Sequence, residues 1–239
     1  TLNERQAIKD AFGANNKIED LCNGAKPVYL NALPGQVELF MKPLLVDFYE
    51  KLLEKAKVPG TKKDYYEKLI KENKFQYCPC CGLIDFEQED SKYREAFDHY
   101  LPKSEYPFAS VNFKNLVPLC YKCNSDRKNT KDPIEKDRKA FYPFANGKHN
   151  ISITLEIDKT KDIDKLQRVD LTIQLTGDAD KIETWDWLFD ISQRYNDTVR
   201  EKIAYNLIRQ LANRYKRNRA RNQGLSFTEI IDDHINDYV

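Results

Sequence analysis

Two short cysteine pairs constrain this chain more than any other feature: Cys78-Pro79-Cys80-Cys81-Gly82 and Cys120-Tyr121-Lys122-Cys123, with 38 residues between Cys81 and Cys120. Two residues between thiolates let the chain fold back so that both sulfurs reach one ion at ~2.3 Å, and Gly82 supplies permissive backbone for the turn. Two such turns make a tetrahedral four-sulfur site, the arrangement zinc takes. Pairing Cys80 with Cys81 leaves no room for a turn, so the ligands are assigned as Cys78, Cys81, Cys120 and Cys123. Cys80 and Cys22 read as plain buried thiols. A site closed by four cysteines has no open position for substrate, so this zinc is structural and staples a module too small to fold unaided.

Composition narrows what the rest can do. A chain of 239 residues holds one or two domains, and two are expected. With 32% charged and 41% hydrophobic residues and no apolar run near the ~20 a bilayer span needs, it reads as a soluble, cytoplasmic protein without a membrane anchor. Six cysteines are too few and too unevenly spaced for a secreted disulfide scaffold. The formal net charge of +1 means that any nucleic-acid surface is local. The chain starts at Thr1 with neither an initiating Met nor a charged-then-apolar leader, which predicts a processed or excerpted chain.

Periodicity predicts an α+β organisation in three stretches. Residues 1–73 read as helical, most clearly where Val37, Phe40, Met41, Leu44, Phe48 and Leu52 recur at spacings of three and four. Pro43 kinks that helix or marks its first turn, Pro59-Gly60 closes it, and a second helix covers Lys62 to Asn73. Residues 74–147 carry five of the six cysteines among short strands and loops. In 148–239, Ile151 to Ile157 and Val169 to Leu175 alternate with period two, as half-buried strands of a hairpin do. Helices follow from about Asp178, with Val199, Ile203, Leu207, Leu211 and Tyr215 on one drifting apolar face and a short helix near Thr228 to Tyr238. Trp185, Trp187 and Phe189 are expected in the core, and His149 and His234 as ordinary satisfied histidines.

Between and after the knuckles the chain reads Phe97-Asp98-His99-Tyr100-Leu101-Pro102-Lys103-Ser104, then Asn115-Leu116-Val117-Pro118-Leu119, then Cys123-Asn124-Ser125-Asp126-Arg127-Lys128. With the knuckles, these segments resemble the HNH, or ββα-metal, nuclease superfamily over roughly Tyr77 to Asn129, about a fifth of the chain. The resemblance implies a strand ending in Asp-His, a crossing loop, a second strand carrying the middle Asn, and a helix returning the third motif residue to the first. It implies an endonuclease cutting phosphodiester bonds in DNA, with RNA the alternative substrate and no small-molecule substrate. Asp98 and Asn124 would hold one Mg²⁺ or Mn²⁺. His99 would act as general base, Asn115 would fix the imidazole by hydrogen bonding, and Lys128, on the same helical face as Asn124, would steady developing charge or grip a phosphate. Asn124 stands where the family name has its final His, a harder oxygen ligand that leans toward Mg²⁺.

Asp98-His-Tyr-Leu-Pro-Lys-Ser-Glu-Tyr-Pro107 with Asn115-Leu-Val-Pro is also similar to HNH proteins of bacterial anti-phage systems, including the nuclease subunit of Septu-type systems. That likeness implies a protein partner, an ATPase or another defence-system component, docked on the helical flanks. Arg127, and Arg214, Arg217 and Arg221 on one face of a late helix, are candidate backbone contacts; a solvated helix end explains the latter three equally well. The competing reading keeps the zinc module as a non-catalytic nucleic-acid- or protein-binding knuckle, in which Asp98 and His99 serve structure alone.

Overall fold

The computed structural model describes residues 2–55, 57–58, 60–88, 91–221, 224, 226 and 229. These form two compact units, one of residues 1–150 with 177–190 and the other of 151–176 with 191–239. The stretches 1–73, 74–147 and 148–239 follow composition, whereas packing divides the chain elsewhere. Among the described residues no helix is long and apolar enough to cross a membrane. The helix expected near Thr228 to Tyr238, and His234 with it, lies outside the described residues.

In the first unit, helices α1 (Leu2–Asn15), α2 (Ile18–Cys22) and α3 (Gly35–Asp47) lead into a π-helical turn, Phe48–Leu52. Their core joins Ala11, Leu30, Leu33, Val37 and Leu45 to Phe108, which belongs to the loop crossing the candidate site. The apolar stripe of α3 differs from the expected one. Val37 and Leu45 are buried, while Phe40, Leu44, Phe48 and Leu52 are exposed. Apolar residues occupy nearly the whole circumference of Gly35–Asp47, so periodicity alone could not choose the face. Pro43 lies inside α3 rather than in its first turn.

Helix α4 (Lys62–Asn73) starts where expected because Thr61 and Asp64 cap it reciprocally: the Asp64 N–H donates to Thr61 Oγ1 (3.2 Å) and the Thr61 N–H to Asp64 Oδ2 (3.0 Å). Tyr65 then stacks on Phe113 and Phe97, with ring centroids 4.7 and 5.4 Å apart, and Tyr66 meets Phe97 edge-on. These rings hold strand β1 (Ala96–His99). Strand β2 (Leu116–Leu119) pairs antiparallel with β1, placing Asp98 opposite Val117 and His99 opposite Leu116. A π-helix, Lys122–Lys128, follows the second knuckle.

Strands β3 (Ile151–Ile157) and β4 (Leu171–Gly177) pair in a second two-stranded sheet with the alternating burial that period two predicts. β4 begins two residues later than read. Asp170 accepts from the Gln167 N–H (2.7 Å) and from Lys161 Nζ (2.5 Å), closing a turn at Arg168–Asp170 and leaving Val169 outside.

Helix α5 (Ala179–Phe189) belongs to the first unit, where it packs against the π-helix Lys122–Lys128. Trp185 Nε1 donates to the Cys80 carbonyl (3.1 Å), and Lys131 Nζ to the Trp187 carbonyl (2.7 Å). Phe189 is buried, and both tryptophans are half-buried. The second unit continues through α6 (Ile191–Tyr195), a π-helix Asn196–Ala204 and α7 (Tyr205–Ala220). Its core contains Leu166, Leu171, Ala204 and Ile208. Ile203 and Leu207, expected on the inner face, are exposed instead, because five-residue π spacing shifts the phase entering α7.

Candidate active site and metal centre

The four assigned sulfurs, all buried, lie within 4.8 Å of one another, so Cys78, Cys81, Cys120 and Cys123 are positioned to hold a metal ion. Bonds of ~2.3 Å to a tetrahedral ion put sulfurs about 3.8 Å apart; Cys78 and Cys123 Sγ are 4.0 Å apart. Each knuckle closes on its own backbone. The Gly82 N–H donates to the Cys78 carbonyl (2.8 Å) and the Cys123 N–H to that of Cys120 (2.9 Å). Gly82 adopts φ +62°, a left-handed conformation that costs glycine little. The Cys120 N–H points at Cys78 Sγ (3.5 Å), tying the second knuckle to the first. Four thiolates this close would repel one another without a cation among them. Cys80 and Cys22 stay outside the group; Cys22 is fully buried, and burial pushes its thiol up to about 12.

At the end of β1, alternation sends the side chains of Asp98 and His99 to opposite faces of the strand. Both are buried, with 6% and 9% of the residue exposed. Lys128, fully buried, reaches back from the π-helix: its Nζ lies 2.9 Å from Asp98 Oδ2 and donates to the His99 carbonyl (2.9 Å). The ammonium that the resemblance assigns to developing charge or a neighbouring phosphate is buried here against Asp98. Burial raises the Asp98 carboxyl to about 6, against the opposing pull of Lys128. Asp98 Oδ2 accepts no hydrogen bond, and this ammonium is its ion-pair partner among the described residues.

His99 Nε2 lies 2.9 Å from the Ser110 carbonyl. A carbonyl only accepts, so Nε2 carries the proton and Nδ1 keeps its lone pair. Burial, assisted by the charges of Lys103, Lys128 and Lys62, lowers the imidazole to about 4, leaving it neutral at pH 7. Tyr49 covers the ring edge-on, with centroids 4.2 Å apart.

Asn115 does not bond the imidazole. Its Oδ1 accepts from the Leu101 N–H (2.8 Å), and its Nδ2 donates to the carbonyls of Leu101 (3.0 Å) and Ala109 (3.2 Å). It therefore pins the two ends of the crossing loop, and the next residue, Ser110, supplies the carbonyl that orients His99. Asn124 is half-buried near the start of the π-helix, four residues before Lys128. Arg127 pairs with Asp190 at 3.0 Å. In the second unit Arg217 and Arg221 are exposed and Arg214 is half-buried. His149 is satisfied by the Tyr142 carbonyl at 2.7 Å.

The sequence reading missed Ser110, which acts through backbone and leaves no signature. It also missed Tyr49, which arrives from a distant helical segment. Lys103 was visible inside the Asp98 to Ser104 segment but had no role assigned.

The site thus joins four cysteines positioned to hold a metal ion to a buried Asp-His-Lys group on a frame of two strands and a π-helix. The chain is 44% identical over 63 residues to Septu protein PtuB of Bacillus thuringiensis, covering 26% of this chain and 22% of that protein. It is 30% identical over 103 residues to Protein ea31 of Escherichia phage lambda, covering 43% of this chain and 31% of that protein. The chain therefore spans less than a third of the length of either relative. No family model and no solved structure matches it.

Proposed function

We propose that this protein is a metal-dependent HNH-type endonuclease acting in anti-phage defence, with zinc held by Cys78, Cys81, Cys120 and Cys123. One observation carries the reading: the end of β1 presents two consecutive buried groups, the Asp98 carboxyl and a His99 whose Nε2–H is held by the Ser110 carbonyl, which leaves the Nδ1 lone pair as the basic atom. A carboxylate suits a hard divalent cation, and Asn124, on the helix that Lys128 ties back to Asp98, would be the second oxygen donor. A bound Mg²⁺ or Mn²⁺ would supply Lewis-acid polarisation of the scissile phosphate.

The chain's own residues do the rest. Nδ1 of His99 takes a proton from the attacking water, and the Ser110 carbonyl stabilises the imidazolium through Nε2–H. Asn115 holds the loop carrying that carbonyl. Lys128 keeps Asp98 ionisable in its buried setting and fixes the helix register. Partial similarity to a Septu protein supports the defence context, with an ATPase or another defence-system protein as partner.

A cleavage panel of duplex DNA, single-stranded DNA and RNA, with and without added Mg²⁺ or Mn²⁺, tests the reading. Metal-dependent scission of at least one DNA substrate is expected; inertness toward all of them would overturn it. The burial of His99 under Tyr49 and the neutralisation of Asp98 by Lys128 favour a second reading, a non-catalytic binding module. That module would bind nucleic acid or protein and cleave nothing.

A further inference from the structure

Two lysines bracket the Tyr49 ring that covers His99. Lys62 Nζ lies 4.2 Å and Lys103 Nζ 5.2 Å from its centroid. Each ammonium holds a carboxylate from the segment carrying Tyr49: Glu50 on Lys103 at 2.6 Å and Glu54 on Lys62 at 2.5 Å. Lys62 is the first residue of α4, where the helix dipole disfavours a cation, yet only 12% of its side chain is exposed. Helix stability does not explain a lysine there. Its neighbourhood does, since three cations, Lys62, Lys103 and Lys128, surround the candidate base.

Carboxylate and phosphate oxygens accept the same charge-assisted hydrogen bonds from an ammonium group. Glu50 and Glu54 are about half exposed, so each carboxylate meets solvent and its hold on the lysine is open to screening by salt and to competition. A polyanion presenting successive phosphates competes for both lysines at once and gains by releasing its own counterions.

We propose that Lys62 and Lys103 bind the nucleic-acid backbone and seat it over His99, and that Glu50 and Glu54 occupy these ammonium groups until substrate phosphates displace them. The proposal rests on the nuclease reading for its substrate class and adds the residues that grip it. The site is consequently self-masked: the acids that neutralise the lysines belong to the segment whose Tyr49 covers the base.

The test is fluorescence anisotropy of a short labelled DNA duplex, without added divalent metal, between about 50 and 200 mM salt. Lys62→Gln with Lys103→Gln is expected to make the log–log salt dependence shallower by about two units, and Lys103→Gln alone by about one, a safeguard should the double variant misfold. Glu50→Gln with Glu54→Gln is expected to bind severalfold tighter than wild type. Unchanged slopes in folded lysine variants, or no gain from the glutamate variant, would overturn the proposal. The two readings fail separately. Wild-type cleavage with unchanged slopes removes the lysine assignment alone, whereas the predicted slopes without cleavage by any protein remove the nuclease reading alone.

Discussion

At the scale of single residues, the buried Lys128 carries an energetic consequence that can be measured directly. Removing one member of a buried ion pair strands the other charge away from water, at a cost of about 3–5 kcal/mol, while replacing both with neutral groups of similar volume costs far less. Lys128→Met should therefore destabilise the protein by about 3 kcal/mol, and combining it with Asp98→Asn should recover most of that loss in urea unfolding. Simple additivity would show the two groups to be independent. The pH behaviour belongs to the same residues. Asp98 ionises near 6, and His99 is already neutral above about 4. In the metal-free protein a proton competes with the cation for Asp98, so affinity for Mg²⁺ or Mn²⁺ should strengthen as pH climbs through about 6; a metal affinity that does not change across that value would contradict this account. For stability the two groups act in opposite senses. The raised Asp98 value contributes stability that is full below ~3.9 and lost as pH rises through about 6, whereas the lowered His99 value contributes stability present above ~6.5 and lost as pH falls toward about 4. Asp98 and His99 were legible as an adjacent pair within a motif. The partners of Asn115 were not, because an amide's residue type does not say which backbone groups a loop will bring to it.

Elements were legible where local chemistry sets their ends. The capping pair Thr61 and Asp64 sets the start of α4, and β3 spans the residues its alternation marks, Ile151 to Ile157, with only the final Ile157 exposed against the pattern. Faces were harder to read. In α3 the apolar residues surround the helix, and in α7 the preceding π-helix shifts the phase, so in both cases a different set of residues reached the core. The start of β4 moved because the Asp170 side chain closed a turn, an effect of hydrogen bonding that periodicity does not register. Because α4 carries the rings that hold β1, its cap matters to the site. Thr61→Ala should cost about 1 kcal/mol, read as a lower urea midpoint with an unchanged slope.

At the scale of the whole molecule, the cysteine spacing announced the metal centre, while nothing in the sequence indicated that α5 would buttress it through Trp185 and Cys80. Such a contact joins segments far apart in the chain, and only folding reveals it. Cys120→Ser should reduce bound zinc from one ion per chain to a substoichiometric level by elemental analysis and disrupt folding of the first unit; full retention of zinc would refute the ligand assignment. The central claim, that a zinc-stapled frame presents His99 as the base of a metal-dependent nuclease, is tested most directly by comparing cleavage of plasmid DNA by wild type and His99→Ala under Mg²⁺ or Mn²⁺, with zinc content measured on both. The account predicts equal zinc, an intact fold and loss of cleavage in the variant; equal cleavage by the two proteins would contradict it.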